Sequence, residues 1–380
     1  MAKPRLLFLV TEDWYFVSHR LPLALAARDA GYEVTVVTRV REHGETIRAA
    51  GLKLIPFAWS RRGMNPLREL VVLLRLVALY RRENPDLVHH VALKPVLYGS
   101  LAARMIGGHL CVVNAIAGMG FVFSSRTRLA RLLRPLVVRA FRMLVGGRGR
   151  LLILQNPDDL RLLVEAKVIA ADQVRLVRGS GVDPQRFILS AEPAGIPLVV
   201  LASRMLWDKG IAEFVDAARL LRAQGVAARF VLVGDTDADN PAAAPPAQLA
   251  AWRDEDVVEW WGRRDDMPVV LAAANLVCLP SYREGLPKVL LEAAACGRAI
   301  VATDVPGCRE IVADGDNGLL IPARDAVALA AALGALLVDP VRRQRMGQRG
   351  RDRVLAEFSE ARVVTETLAV YLELLSEKRL

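Results

Sequence analysis

Short runs of β-branched and aliphatic residues alternate with longer stretches of helical period from one end of the chain to the other. In the first half the runs at residues 5–10, 33–38, 52–57, 86–91, 111–115 and 151–155 predict buried strands, with helices over 18–30 and 66–82 among the segments between them. A second series begins after Pro197, with strands expected at 198–203, 229–234, 257–261, 276–280 and 299–303. Strand and helix in alternation is the signature of parallel sheets with crossover helices. The Pro- and Gly-containing segment 179–197 reads as a linker. The expected architecture is therefore α/β, with two Rossmann-like domains whose parallel sheets face across a cleft. The domains would span residues 1–185 and 186–360, followed by a C-terminal helix, 361–380, packing back on the first. An Ala-rich helix is expected at 326–335.

Composition supports a folded chain. Of the 380 residues, 53% are hydrophobic and 24% charged. The mean hydropathy of +0.28 is high for a chain that never meets a membrane. The longest apolar stretch, 70–80, is interrupted by Arg75 and followed by Arg81 and Arg82, too short to cross a bilayer. The first apolar run stops at Thr11-Glu12-Asp13 without a small-residue cleavage site, which suits a first strand better than a signal peptide. These features predict a cytoplasmic protein. Cys111, Cys278, Cys296 and Cys308 form no CxxC pair and sit mostly in apolar runs, so neither a disulfide framework nor a zinc site is expected.

Charge is shared unevenly. Residues 1–185 hold 28 Lys and Arg against 14 Asp and Glu, and the remainder 23 against 27, so the two parts carry +14 and −4 of the total +10. From residue 87 to 157 there is no acidic side chain, while Arg126, Arg128, Arg131, Arg134, Arg139 and Arg142 interleave with Leu129, Leu132, Leu133, Leu136 and Phe141. A basic amphipathic stretch of this kind suits an anionic membrane surface. A solvated Arg-rich helix face has the same pattern. No nucleic-acid-binding module accompanies the charge, and none is expected as partner.

Two constellations carry chemistry. The first is PSYREGLPKVLLEAAACG, residues 280–297. A strand feeds a loop holding Glu284 and Gly285. A helix then opens near Pro287, a residue suited to a first helical turn. Helix N-termini present amides and favour anions, so a phosphate or a sugar hydroxyl fits at Gly285, Leu286, Pro287, Lys288 and Val289. Glu292 lies more than a turn into that helix, where its carboxylate suits paired hydroxyls. A solvated or capping glutamate is the plainer reading. The second constellation is SRMLWDKG, residues 203–210, directly after the first strand of the second series. Arg204 and Lys209 sit where open α/β sheets bind ligands, and two cations there suit a diphosphate.

In this order, RMLWDKG, FVLVGD, WWGRRDDM, PSYREGLPKVLLEAAACG and GCREIVADGDNGLLIP resemble the donor domain of glycosyltransferase family 4, enzymes of GT-B fold that retain anomeric configuration. The resemblance implies that Glu284 and Glu292 form the family's E-x7-E motif, the first meeting the transferred sugar and the second the donor ribose. It implies that Arg204 and Lys209 hold the diphosphate. Arg263 falls where a backbone usually meets the nucleobase, and Leu290 near the ribose or base. The first half, in EDWYFVSHRLPLA, PDLVHHVALKPVLYGSLAAR and VVNAIAGMGFVF, is similar to transferases that extend polyprenyl-diphosphate-linked sugars, N-acetylgalactosaminyltransferases using UDP-GalNAc and an undecaprenyl diphosphate carrier among them. One departure stands out. Many members have a Gly-Gly loop after the first strand, where this chain has Thr11-Glu12-Asp13-Trp14-Tyr15.

The resemblance thus implies a hexosyltransferase moving an N-acetylhexosamine from a UDP-sugar onto a lipid-linked glycan during surface polysaccharide assembly, at the inner face of the cell membrane. No metal cofactor is obligatory in such a reaction. Lys94 and the Arg-rich segment, through Arg126, Arg131, Arg134 and Arg142, would face the lipid diphosphate and the membrane. His89 and His19 are candidate catalytic groups, with a structural histidine equally consistent. Asp235-x-Asp237-x-Asp239 imitates a metal motif of another glycosyltransferase fold and the start of a calcium loop, but position twelve of that loop is Pro246, so a polar turn is expected. Gly146-Gly147-Arg148-Gly149 lacks the following helix of a dinucleotide fingerprint. Two other functions share the scaffold: a nucleotide-sugar epimerase of GT-B fold, and a non-catalytic nucleotide-sugar binding protein.

Overall fold

The computed structural model describes residues 3–58, 66–107, 110–116, 138–237 and 240–377. Its contacts divide the chain into two units, Met1–Ser180 together with Val363–Leu380, and Gly181–Arg362.

The first unit holds β1 (Arg5–Glu12), β2 (Glu33–Arg39), β3 (Lys53–Pro56), β4 (Leu87–Val91), β5 (Cys111–Ile116), β6 (Arg150–Leu154) and β7 (Val174–Leu176). They form one parallel sheet in the order β3-β2-β1-β4-β5-β6-β7. Successive residues of a strand point to opposite faces, and both faces here are covered, which is why β1 reads as a continuous apolar run. Leu6, Phe8 and Val10 pack with Phe16, Leu23 and Tyr371, whereas Leu7 and Leu9 pack with Leu76, Tyr80 and Ala102. Helix Glu360–Glu377 contributes Val363, Val370, Tyr371 and Leu374 to the first of these layers.

The helix expected over 18–30 is two helices, Asp13–His19 and Leu21–Asp29, broken at Arg20. The buried Asp13 carboxylate explains the early start. It accepts the amides of Trp14 (2.8 Å), Arg41 (2.7 Å) and His43 (2.9 Å), tying the turn after β1 to the one after β2. Burial pushes its pKa up, but these backbone donors and the His43 charge outweigh burial and hold it below the usual value. Pro22 then occupies the first turn of the second helix, where its missing N–H is harmless.

The second unit holds β8 (Leu198–Ala202), β9 (Arg229–Val233), β10 (Glu259–Trp260), β11 (Leu276–Leu279), β12 (Ala299–Thr303) and β13 (Gly318–Ile321). Its parallel sheet has the order β10-β9-β8-β11-β12-β13. The order reverses between β8 and β11, and loops leaving the carboxyl ends of strands at such a reversal open a crevice suited to ligands. β7 and β13 are strands that the residue pattern does not announce. Both are short, and β13 follows a turn in which Asn317 donates to the Ile311 carbonyl at 2.9 Å and accepts the Ala313 amide at 2.6 Å.

Inside this unit the segment before β8 is pinned by charge. Arg343 meets Glu192 at 2.6 Å with both side chains nearly sealed from water. Arg298, wholly buried, donates to the carbonyls of Leu271 (3.0 Å), Ala272 (3.0 Å) and Ala191 (3.3 Å) and to Ser190 Oγ. All four cysteines are free and buried. Among the described residues no helix is long and apolar enough to cross a membrane.

Candidate functional site

Four loops at the carboxyl edge of the second unit's sheet are tied to one another. After β8, Met205 N–H donates to the Asp235 carbonyl and Trp207 N–H to the Ala242 carbonyl, both at 2.9 Å. The loops after β9 and β10 meet where Gly234 N–H donates to the Gly262 carbonyl at 2.7 Å. The loops after β8 and β11 meet at Gly210, where φ is +72° and a Cβ would lie 2.1 Å from the Pro280 carbonyl oxygen. Only glycine fits there, both in conformation and in space.

This scaffold brings Lys209 and Glu284 together. Lys209 Nζ lies 2.5 Å from Glu284 Oε1, with the two side chains 20% and 11% exposed. The Glu284–Gly285 backbone is in turn packed on Gly307, at φ +84°, where a Cβ would sit 2.3 Å from the Gly285 carbonyl oxygen. Gly307 belongs to the GCREIV stretch, and its role was visible in the sequence only as part of that motif. Pro287 stands before helix Lys288–Ala295 in an extended conformation, so the positive end of the helix follows directly on the Gly285 loop.

Arg204 reaches Asp237, Nη1 to Oδ2, at 2.9 Å, and its side chain is 44% exposed. An ion pair this exposed contributes about 1 kcal/mol or less and exchanges readily for another anion. The same contact gives Asp237 a partner within the protein. Asp239 lies outside the described residues, and among the described residues no group of His, Cys, Asp or Glu is arranged to hold a metal ion. Arg263, after the Gly262 turn, meets Asp265 at 3.2 Å on the surface.

Glu292 is buried within its helix, with Lys288 Nζ 3.3 Å from its carboxylate. Burial raises its pKa above the usual glutamate value, opposed by the charges of Lys288 and Arg186. A buried carboxylate with one cation beside it is chemistry suited to binding a hydroxyl pair. Leu290 is fully buried and Leu286 nearly so, both within the apolar cluster beneath the loop. Leu290 thus supports the site from below and offers no surface to a ligand. Burial, then the Glu284 charge, push the Cys308 thiol well above its usual pKa, so it is held as the unreactive thiol.

The remaining expected site residues belong to the first unit. His89 lies on β4 and is 1% exposed, with its Nδ1 2.5 Å from the Tyr371 hydroxyl and its ring beside Phe8. Burial, followed by the Arg20 and His90 charges, lowers its pKa far below 6.5. Such a ring is neutral and sealed, the surroundings of a packing group. His19 is partly exposed, stacked on Tyr15 at 4.2 Å, with Ser18 Oγ 2.5 Å from its Nδ1. Lys94 pairs with Glu69 at 3.0 Å. Arg142 donates to the Lys167 carbonyl at 2.7 Å. Arg126, Arg131 and Arg134 lie outside the described residues.

Two family models match the chain: one described as glycosyl transferase 4-like over residues 5–155, the other as glycosyl transferases group 1 over residues 196–339. The N,N'-diacetylbacillosaminyl-diphospho-undecaprenol alpha-1,3-N-acetylgalactosaminyltransferase of Campylobacter jejuni is 27% identical, over 93% of this chain and 94% of its own. The N-acetyl-alpha-D-glucosaminyl L-malate synthase of Bacillus anthracis is also 27% identical, over 83% of this chain and 81% of its own. Among solved structures, a sucrose-phosphate synthase from Thermosynechococcus elongatus superposes with a TM-score of 0.80 at 22% identity, over 98% of this chain and all of that one. Anabaena HepE in complex with UDP-glucose superposes with a TM-score of 0.75 at 20% identity, over 96% and 99%. With its two parallel sheets and the two family models together matching most of its length, the chain belongs to the family 4 glycosyltransferases of GT-B fold.

Proposed function

We propose that this enzyme transfers an N-acetylhexosamine, with retention of configuration, from a UDP-sugar to a polyprenyl-diphosphate-linked glycan at a membrane surface. The observation that carries the reading is the Lys209–Glu284 pair beside the positive end of helix Lys288–Ala295. The similarity to a transferase acting on a diphospho-undecaprenol acceptor, along nearly the whole chain, supports the choice of acceptor.

In this reading the donor diphosphate takes the place of two internal anions. Its oxygens replace Glu284 at Lys209 and Asp237 at Arg204, and the released Glu284 carboxylate accepts a hydroxyl of the transferred sugar. Glu292 accepts the ribose hydroxyls. The two cations stabilise charge as the nucleoside diphosphate leaves. The leaving phosphate oxygen takes the acceptor proton, so no histidine base is needed, in keeping with the sealed ring of His89. Arg263 lies beside the base, and no step calls for a metal.

The test is incubation of the full chain with labelled UDP- and GDP-sugars and a polyprenyl-diphosphate glycan. The expected result is label in the organic phase, from a UDP-N-acetylhexosamine, unaffected by chelator. Label converted to a water-soluble isomer would mean an epimerase, and unreacted donor a binding protein. Either would overturn the reading.

A further inference from the structure

We propose that the outward side of helix Pro66–Glu83, in the first unit, docks the enzyme on an anionic lipid bilayer. The helix is apolar on two opposite faces. Val72, Leu76, Leu79 and Tyr80 are buried with Leu7, Leu9 and Val37. Leu67, Leu70, Val71 and Leu74 are instead 74%, 50%, 45% and 50% exposed. Their spacing, i, i+3, i+4 and i+7, aligns them as one stripe along the helix. Scattered apolar side chains on a surface need no explanation, but a contiguous stripe of four large ones marks a surface that something covers.

Charge and chemistry select the cover. Arg68, Arg75, Arg81 and Arg82 are exposed beside the stripe and at its C-terminal end. Both acids of the helix are drawn into ion pairs and largely buried: Glu69 against Lys94 at 3.0 Å, and Glu83 against Lys53 at 2.5 Å and Arg82 at 2.9 Å. The exposed charge of the face is therefore cationic. The stripe is purely aliphatic, without the aromatic anchors that dominate protein interfaces. Aliphatic side chains with arginines at their margins suit the boundary of an anionic bilayer, where the leucines enter the acyl region and the guanidinium groups remain among phosphates. The location agrees with a lipid-carried acceptor, and to that extent the inference rests on the proposed function. The docking face itself is argued from the helix alone.

The test uses the full chain and flotation with vesicles of phosphatidylglycerol and phosphatidylcholine in equal parts, compared with phosphatidylcholine alone. Binding is expected to the mixed vesicles and to fall about tenfold or more in the double variant L70E/L74E. The double variant R75E/R81E is expected to bind severalfold more weakly and to lose most of the salt dependence. All four positions are exposed, and an unchanged thermal midpoint identifies folded variants. Transfer to acceptor dispersed in detergent is expected to be the same in wild type and L70E/L74E. Three results would overturn the proposal: vesicle binding in L70E/L74E equal to wild type, equal binding to both vesicle types, or a wild-type dimer by light scattering that L70E/L74E dissociates. If wild type transfers no sugar in detergent, the proposed function fails, while the vesicle comparison still decides the docking face.

Discussion

The hydroxyl of Tyr371 lies 2.5 Å from Nδ1 of His89, joining residues 282 positions apart inside the core of the first unit. Tyr371 also sets its ring edge-on to His89 at 5.7 Å and to Tyr32 at 6.1 Å. The C-terminal helix is therefore a structural part of the unit formed by the first 180 residues. Replacing Tyr371 by Ala empties a fully buried site and is expected to cost about 3–5 kcal/mol, against about 1 kcal/mol for Phe, which forfeits only the hydrogen bond. Urea unfolding of the two variants measures both. Equal losses would place the value in the hydrogen bond and not in the packing.

Protonation of two adjacent histidines on β4, on opposite faces of the sheet, sets a pH limit. His90 lies beside His89 on β4, held by the Tyr80 hydroxyl at 2.9 Å and Asn114 Oδ1 at 2.8 Å. Burial lowers the pKa of His90 to about 4, despite the Asn114 bond, and burial with the Arg20 charge lowers that of His89 well below 6.5. Each ring takes a proton more readily in the unfolded chain, so stability is intact above about pH 6.5 and declines as pH falls toward the folded pKa. For His90 alone the loss approaches about 3 kcal/mol by pH 4. Thermal midpoints from pH 7.5 to 4.5 are expected to fall, and to fall less in His89→Gln. A pH-independent midpoint would contradict the neutral, buried placement of both rings.

Lys209 and Glu284 are each other's partners in the described site, and their substitutions are expected to act on different steps. If the proposed function holds, Lys209→Ala removes charge stabilisation of the leaving diphosphate, and the expected result is a kcat lowered about 100-fold or more. Arg204→Ala, at a more exposed position, is expected to weaken UDP binding severalfold with a smaller effect on kcat. Steady-state kinetics and UDP titration separate the two. Full activity in Lys209→Ala would remove the pair from the reaction.

Gly307 has a role that a single methyl group tests. In Gly307→Ala the added carbon would press on the Gly285 carbonyl while φ stays at +84°, so the Glu284 loop must shift. The expected result is UDP affinity lowered about tenfold or more, with most of the thermal stability of the second unit retained, because the contact lies in a loop and the strain is local. Unchanged affinity would mean that the loop adapts without moving Glu284.

The Glu192–Arg343 pair is sealed from water, and breaking it leaves a buried charge alone. Arg343→Ala is expected to cost about 3–5 kcal/mol, and Glu192→Ala a similar amount, whereas the double variant costs less than their sum. Denaturant unfolding of the three proteins completes the cycle. Additive losses would mean that the two side chains act separately.

Much of the fold was legible in the chain because a strand covered on both faces has to be apolar along its whole length. Leu198–Ala202 and Leu276–Leu279 could hardly be anything else, and their alternation with helices implied parallel order. The placing of the candidate site's loop was legible for a related reason. Glu284, Gly285 and Pro287 occupy one short stretch between a strand and a helix, so local spacing placed them at a sheet edge before any tertiary contact was known.

What remained for the tertiary structure were contacts between distant parts of the chain. The break at Arg20 depends on Asp13 finding amides near residue 40, and β13 exists through pairing with β12, not through its own four residues. The residue types allowed His89 to be a base, and the fold made it a partner of Tyr371. The helix from Pro66 illustrates the limit most plainly. Apolar residues run around it, so periodicity predicted a helix without saying which face would be covered. Sequence determines where a backbone coils and which side chains avoid water. Only the packed neighbours decided that Val72 and Leu76 are sheltered while Leu70 and Leu74 are left exposed.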